Sequence, residues 1–245
     1  MATYIPSSGG FKLKSYPDYS QLSEAAARFI IQEVSEKPNL LLCLATGSTP
    51  IKTYDLFVKF AIESSITTNG MKVIKLDEWV DIPPDNPATC EYQLQNQLIQ
   101  PLGIRNYIGF DSEKPDNEKE LAKIHQYLSE YGPIDICILS IGLNGHLGFN
   151  EPGDMLRPFA HKILLSETSL AHKMLAGLKT SPEYGLTLGM ADILQSRKII
   201  LLVSGAKKKE VMQRFMQNQI DTRFPASFLW LHPDVTCFCD SDAWE

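Results

Sequence analysis

Five short apolar runs constrain the fold of this 245-residue chain more than any other feature. Their apolar residues are continuous rather than alternating, which predicts strands that are buried on both faces and is typical of a covered, largely parallel sheet. The runs span Leu40–Ala45, Val73–Leu76, Ile134–Ile141, Ile199–Val203 and Val235–Cys239. The sequence therefore predicts an α/β fold.

Segments with apolar residues at helical spacing separate these runs. Helices are predicted over residues 22–34, 56–61, 90–99, 118–130, 169–177 and 207–216. A single domain over residues 1–245 is the simplest organisation for such an alternation of strands and helices. Residues 153–185 mix polar and apolar side chains with weak periodicity, and we expect them to form a mobile lid.

Composition and charge limit the classes of partner. The net charge of −6 offers no general attraction for nucleic acid or an anionic membrane, so an anionic ligand needs a local positive site. We therefore expect a small-molecule partner. The segment 1–19 lacks an apolar stretch of signal-peptide length, and no later run approaches a membrane span, so a cytoplasmic protein is expected.

The five cysteines are an odd count in a chain without a secretion signal. All but Cys90 lie in the apolar runs, which predicts buried free thiols rather than disulfides.

The loop Asn144–Pro152 follows the third apolar run and is the strongest candidate for chemistry. Glycines flank His146, and Glu151 lies five positions further on, in a segment unsuited to helix. Open α/β sheets bind ligands at the carboxyl ends of their strands, which is where this loop begins. A single histidine is often a structural residue, but the glycines and Glu151 favour a proton-handling group.

Two further strand ends are candidate anion sites. Thr46, Gly47, Ser48 and Thr49 precede Pro50, and we expect Thr49 to cap a helix whose first residue is Pro50 and whose amides face a phosphate. An ordinary capped helix start is the equally weighted alternative. Ser204–Lys209 places three lysines in a helix's first turn, a conflict with the macrodipole that a bound anion would offset. For at least one lysine, a solvated charge run is the expected explanation.

Asp77 and Glu78 lie where the second apolar run meets a proline-rich loop. Adjacent residues of an extended chain point apart, so we expect only one carboxylate to face a cleft. Burial beside Trp79 would raise the basicity of that carboxylate, as proton abstraction next to a carbonyl requires. The alternative is an acidic pair that caps the following turn.

These motifs, their order and their spacing resemble the glucosamine-6-phosphate deaminase/6-phosphogluconolactonase superfamily, from about Leu40 to His232. Resemblance to the deaminases rests on Leu76–Trp79, Gly145–Pro152 and Gly185–Gly189. The chain is most similar to the branch of galactosamine-6-phosphate deaminase/isomerases, through the segments Cys43–Gly47, Lys75–Asp81, Asn144–Gly148 and Pro225–His232.

The resemblance implies a three-layer Rossmann-like fold and conversion of a 2-amino-2-deoxyhexose 6-phosphate to a ketohexose 6-phosphate plus ammonia. Galactosamine 6-phosphate is the favoured substrate and glucosamine 6-phosphate the alternative. By the family's motifs, Asp77 would move the proton from C2 to C1, His146 would open the sugar ring, and Glu151 would orient His146. Glu78 would be a structural neighbour of Asp77.

Phosphate would bind to Thr46–Thr49 and to Lys208. The resemblance implies no cofactor and no metal, and the oligomeric state stays open. Two positions depart from the glucosamine branch: Asn144 replaces an aspartate beside His146, and His172 and Lys173 stand in the lid where that branch supplies an arginine to phosphate. We include Asn144 and His172 among the candidate site residues.

Two alternatives from the same fold stay open. A 6-phosphogluconolactonase normally has arginine after the acidic pair and lacks Asn-Glu-Pro, so Trp79 and the segment Asn150–Pro152 count against it. A catalytically inactive sugar-phosphate sensor usually carries a DNA-binding domain, for which the roughly 35 residues before the first expected strand leave no room.

Overall fold

The structure is a computed structural model that describes residues 3–6, 10–113 and 116–244. Its strands are β1 (Thr3–Pro6), β2 (Phe11–Tyr16), β3 (Leu41–Leu44), β4 (Lys72–Lys75), β5 (Asp77–Trp79), β6 (Asn106–Ile108), β7 (Ile136–Ser140), β8 (His161–Leu164), β9 (Tyr184–Thr187), β10 (Lys198–Val203) and β11 (Val235–Asp240). Its α-helices are α1 (Tyr19–Glu36), α2 (Ile51–Glu63), α3 (Cys90–Leu94), α4 (Asn117–Tyr131), α5 (Glu167–Leu170), α6 (Met190–Leu194), α7 (Lys209–Phe215) and α8 (Ser241–Trp244).

Within the described ranges, eight strands form the main sheet, in the order β1-β2-β11-β10-β7-β3-β4-β6. Every neighbouring pair is parallel except β1 and β2. The predicted α/β class with a mostly parallel central sheet is confirmed, and the five apolar runs are β3, β4, β7, β10 and β11.

Helices cover both faces of this sheet, because the side chains of each central strand alternate between two hydrophobic cores. Leu42 and Leu44 pack with α1 and α2 on one face, whereas Leu41 and Cys43 pack on the face that carries α4 and α7. The continuous apolar runs thus reflect burial on both faces, and the expected three-layer arrangement is confirmed.

A second, antiparallel sheet lies beside the carboxyl ends of the main strands, in the order β5-β9-β8. It covers a small third core that includes Trp79 and Phe149. The sequence analysis did not predict this sheet, since its strands are short and carry polar residues. The lid segment 153–185 contains regular structure, because it includes β8, α5 and the start of β9. The mobility of this segment stays a prediction.

Two expectations about the elements are wrong. The first strand of the chain is not near Leu40, because β1 and β2 precede it; β2 alternates buried apolar residues with lysines and so lacks a continuous apolar run. The predicted helix 169–177 is interrupted: α5 ends at Leu170, the backbone of His172 is extended, and a new 3-10 turn covers Lys173–Leu175.

Among the helices that the structure describes, none has the length and apolar character needed to cross a membrane.

Candidate active site

A cavity of about 730 Å³ opens at the carboxyl ends of β3, β4, β7 and β10. The chain leaves β3 for β4 on one side of the sheet and later enters β7 on the other side, so the cavity lies at the topological switch point. The sequence-predicted residues that line it are Thr46, Gly47, Ser48, Thr49, Asp77, Asn144, His146, His172 and Lys208. The remaining predicted residue, Glu151, lies beside His146.

Asp77 is the carboxylate of the acidic pair that lines the cavity. It begins β5, pairs with Thr187 of β9, and is only 8% exposed. Burial, reinforced by the charge of Glu78, raises the pKa of Asp77 to about 7, although the charge of Lys75 opposes this shift. A carboxylate with this pKa is an effective proton acceptor and donor near neutral pH.

Glu78 points away from the cavity and is fully buried. Its carboxylate accepts from Lys75 Nζ at 2.7 Å and from the backbone N–H groups of Trp79, Cys90 and Glu91. Burial alone would lower the pKa of Lys75, but the charges of Glu78 and Glu91 outweigh burial and raise it. Glu78 therefore joins β5 to the start of α3 and fixes the strand end that carries Asp77.

His146 owes its position to two glycines. Gly145 has a φ of +89°, which places the chain in the left-handed region that glycine tolerates best. A Cβ on Gly142 would lie 2.3 Å from Nε2 of His146, so only glycine permits the ring to lie there. Nε2 thus sits next to Gly142 in the cavity wall, while Nδ1 lies 3.5 Å from Glu151 Oε2.

Glu151 is held as an anion beside this imidazole. Burial raises the pKa of Glu151, but the hydrogen bond to His146 and its charge, with hydrogen bonds from Ser169 and Asn144, outweigh burial and lower it to about 2. Asn144 joins the two residues, since its Nδ2 donates to Glu151 Oε2 at 3.1 Å and its Oδ1 accepts from the backbone N–H of His146 at 3.1 Å.

Asn150 completes the loop without facing the cavity. Its buried Nδ2 donates to the carbonyl groups of Leu147 and Leu188, at 2.9 and 2.8 Å. The Asn-Glu-Pro motif therefore combines a residue that fastens the loop to the end of β9 with the carboxylate that contacts His146.

Ser166 and Ser169 also contact Glu151, and the sequence analysis missed both. Ser169 Oγ donates to Glu151 Oε1 at 2.5 Å, and the backbone N–H of Ser166 donates to the same oxygen at 3.3 Å. Ser166 is the N-cap of α5. The pattern of a serine followed three residues later by another hydroxyl at a helix start was visible in the sequence, but it indicates a cap and not a contact with Glu151.

The loop 46–49 differs from the expected free helix start. Thr49 does not cap α2: Pro50 occupies the N-cap position, and the backbone N–H of Lys52 in the first turn donates to the hydroxyl of Tyr19 at 3.1 Å. Pro50 has helical backbone angles and its carbonyl accepts from the N–H of Tyr54 at 2.9 Å, so it makes the first hydrogen bond of α2 from the N-cap position. Gly47, with φ +96°, donates its N–H to Gln93 Oε1 at 2.9 Å and accepts from Gln93 Nε2 at 3.0 Å. A phosphate ligand must therefore use the other groups of this loop.

The lysine segment 204–209 places Lys208 at the cavity. Lys208 Nζ donates to the carbonyl of Ile141 at the end of β7, and burial lowers the pKa of Lys208 to about 8. The N–H of Gly205 is bonded to both carboxylate oxygens of Asp240, at 3.0 and 3.1 Å. The carboxylate of Asp240 thus binds the turn where an external anion was expected. Lys208 follows this turn and lines the cavity.

His172 lines the cavity from the lid segment. Its ring packs against Trp79 with centroids 6.1 Å apart, and Nε2 is 3.4 Å from where a Cβ on Gly47 would lie. Burial, with the charges of His146, Lys208 and Lys173, lowers the pKa of His172. The structure therefore brings this lid residue next to the loop 46–49.

Cys90 is a further site residue that was not predicted from the sequence. Its Sγ accepts from Thr46 Oγ1 at 2.9 Å and lies 3.9 Å from Asp77 Oδ1. Burial, with the charges of Glu78 and Asp77, raises the pKa of the Cys90 thiol, so the sulfur keeps its proton. All five cysteines are buried thiols that form no disulfide, as predicted.

Comparisons with known proteins identify the family to which this chain belongs. Residues 17–237 match the family model described as glucosamine-6-phosphate isomerases/6-phosphogluconolactonase. AgaI of Escherichia coli (strain K12), a protein provisionally named a deaminase, is 39% identical over 231 residues, which are 94% of this chain and 92% of AgaI. Glucosamine-6-phosphate deaminase 1 of Bacillus subtilis (strain 168) is 33% identical over 236 residues, which are 95% of this chain and 98% of that protein.

Solved structures give the same result. A monomeric glucosamine-6-phosphate deaminase superposes with a TM-score of 0.88 at 31% identity, covering 94% of this chain and 98% of that one. The 6-phosphogluconolactonase of Trypanosoma brucei superposes with a TM-score of 0.74 at 20% identity, covering 98% of each chain, which shows a shared fold.

Proposed function

The chain belongs to the family of glucosamine-6-phosphate isomerases and 6-phosphogluconolactonases, and we propose that it deaminates and isomerises an amino-sugar phosphate. The substrate would be a 2-amino-2-deoxyhexose 6-phosphate, and the products a ketohexose 6-phosphate and ammonia. One observation carries the proposal: a cavity lined by Asp77, whose pKa is about 7, also contains His146 backed by an ionised Glu151. A buried base and a separately oriented imidazole suit proton transfers at two ends of one sugar.

In the proposed reaction, His146 first opens the sugar ring by taking the proton of the C1 hydroxyl and returning a proton to the ring oxygen. Asp77 then removes the proton from C2 while the aldehyde oxygen at C1 takes up a proton, which gives an enolamine. Delivery of the C2 proton to C1, with loss of one proton from the nitrogen, leaves a hydroxyl group on C1 and an imine at C2. Water adds to this imine and ammonia leaves, which gives the C2 ketone. The ring opening and the isomerisation are proton transfers, and the last step forms a C2–O bond from water as the C2–N bond breaks, so water is the one other reactant.

The phosphate would bind at the end of the cavity formed by Thr46–Thr49, Lys208 and His172. Lys208 supplies a half-buried lysine amine, and the net charge of −6 makes such a local positive site necessary for an anion. His172 and Lys173 both line the cavity, so the lid segment can contribute donors to the same phosphate.

We favour galactosamine 6-phosphate, with tagatose 6-phosphate as product, over glucosamine 6-phosphate. The preference rests on the resemblance of Lys75–Asp81 and Pro225–His232 to the galactosamine branch, and on Asn144 and His172, which depart from the glucosamine branch. Against a lactonase stand Trp79 and the Asn150–Pro152 motif, whose Glu151 contacts His146. Against a sensor stands the complete set of Asp77, His146 and Glu151.

The test is ammonia release from galactosamine 6-phosphate and glucosamine 6-phosphate, measured side by side, with hydrolysis of 6-phosphogluconolactone as a third assay. We expect ammonia from the amino sugars and a higher kcat/KM for the galacto substrate. The Asp77→Asn variant serves as the matched inactive control. Lactone hydrolysis without ammonia release would assign the lactonase activity, and binding of all three without turnover would assign a sensor.

A further inference from the structure

One residue of the lid segment reaches the pair formed by His146 and Glu151. Ser169 is 2% exposed, and its hydroxyl donates to Glu151 Oε1 while lying 3.5 Å from His146 Nδ1. It belongs to α5, whose N-cap Ser166 donates its backbone N–H to the same carboxylate oxygen. The segment 153–185 therefore supplies two of the groups that hold Glu151.

The position of Glu151 determines which nitrogen of His146 carries the proton. Glu151 Oε2 faces Nδ1 of His146, whereas Nε2 lies next to Gly142 in the cavity wall. A carboxylate opposite Nδ1 favours the tautomer with the proton on Nδ1, which leaves Nε2 as the acceptor toward the cavity. If the carboxylate turned away, the imidazole would lose this orientation.

We propose that Ser169 is a positioning residue whose hydroxyl holds Glu151 against Nδ1 of His146 and so fixes the imidazole tautomer needed for ring opening. Its catalytic meaning rests on the proposed function. The same segment carries His172 at the phosphate end, where the N–H of His172 is bonded to the carbonyl of Ser169 at 3.1 Å. The position of the lid segment over the cavity thus links the contact between His172 and the phosphate to the contact between Glu151 and His146.

The test combines a spectroscopic signature of the free protein with kinetics. Nitrogen-15 labelling of histidine, with the His146 signals assigned through a His146→Gln variant, reports the tautomer at pH 8.5. We expect the Nδ1–H form in the wild-type protein, a shift toward the Nε2–H form in Ser169→Ala, and recovery in Ser169→Thr, which restores the hydroxyl. Ser181→Ala, an exposed position in the same segment, is the matched control.

In steady-state kinetics, Ser169→Ala should lower kcat roughly tenfold, the equivalent of one hydrogen bond, with KM within about twofold. Ser169→Thr should recover most of the loss. An unchanged tautomer in Ser169→Ala would overturn the proposal even if kcat fell, because the serine would then act through packing alone. A tautomer shift in a protein that releases no ammonia would support the positioning role and reject the proposed function.

Discussion

Two carboxylates of one site have opposite electrostatic environments. Asp77 lies at a strand end with a second carboxylate beside it, and burial raises its pKa to about 7. Glu151 is also buried, yet the interaction with His146 and the hydrogen bonds from Ser169 and Asn144 lower its pKa to about 2. Burial acts in the same direction on both, so the difference comes from their neighbours: the charge of Glu78 raises the pKa of Asp77, whereas His146 and the hydrogen-bond donors lower that of Glu151.

The contrast assigns roles by physics rather than by residue type. A carboxylate that takes and returns a proton needs a pKa near the working pH, whereas one that only orients an imidazole must stay charged. The strands β4 and β5 with α3 supply the first environment, and the glycine loop with the lid segment supplies the second. Each can therefore be perturbed separately.

The largest effect should come from Asp77→Asn, because the amide keeps the shape of the side chain and cannot accept the proton. We expect kcat to fall by about 10²–10⁴-fold, with KM within a few-fold. Retention of more than roughly a tenth of the wild-type kcat would place the base elsewhere, outside the range typical of a general base.

Glu151→Gln should cost less, on the order of 10²-fold in kcat, since it removes a stabilising charge and leaves the base intact. The variant should still bind substrate, and its residual activity should keep its dependence on Asp77. The separation of roles would be contradicted if Glu151→Gln lowered kcat as much as Asp77→Asn does and the residual activities of both variants were independent of pH.

Substitution of Lys208 tests whether this lysine binds the phosphate and whether its lowered pKa affects KM. Lys208→Ala should raise KM by the equivalent of about 1.5–3 kcal/mol for a charged hydrogen bond, whereas Lys207→Ala and Lys209→Ala should cost much less. Because burial lowers the pKa of Lys208 to about 8, KM of the wild-type enzyme should rise as the pH passes that value. Equal effects of all three substitutions would indicate a diffuse positive patch instead.

How far the sequence predicts such a site depends on which interactions are local. The apolar runs predicted the five central strands because burial on both faces leaves a continuous pattern, and the motifs located Asp77, His146 and Lys208 at strand ends. Ser169 and Gln93 were not predicted, because their contacts with Glu151 and Gly47 join segments 18 and 46 residues apart. Polar partners at that separation leave no periodic signal.

The same comparison predicts opposite effects on stability. Since the pKa of Asp77 rises from 3.8 to about 7 on folding, its ionisation destabilises the folded protein as the pH rises from about 4 to 7. Asp77→Asn should therefore raise the free energy of unfolding at pH 8 by an amount on the order of 1–3 kcal/mol, and the gain should disappear near pH 4.

Glu151→Gln should instead lower the free energy of unfolding at pH 5, by on the order of 1–3 kcal/mol. The pKa of Glu151 falls from 4.5 to about 2 on folding, so its contribution is present above pH 4.5 and is lost as the pH falls through 2. Denaturant titrations of both variants at the stated pH values measure the pair. Shifts of the same sign in the two variants would contradict the contrast in environments.

The smallest expected effect is a change in the pKa of Asp77 on substitution of Cys90. The Cys90 thiol lies 3.9 Å from Asp77 Oδ1 and is fixed by Thr46, and its hydrogen bond lowers the pKa of the carboxyl against the stronger influence of burial. Removal of this donor in Cys90→Ala should raise the pKa of Asp77 and move the acidic limb of the kcat/KM profile upward by roughly 0.2–0.5 of a pH unit, as expected for a weak donor. Cys90→Ser keeps a donor and should leave the limb near or below its wild-type position.

Ionisations of the substrate cancel because all three enzymes use the same sugar phosphate. Equal displacement of the limb in the alanine and serine variants would show that the sulfur acts through its volume, and the pKa of Asp77 would then depend on burial, Glu78 and Lys75 alone.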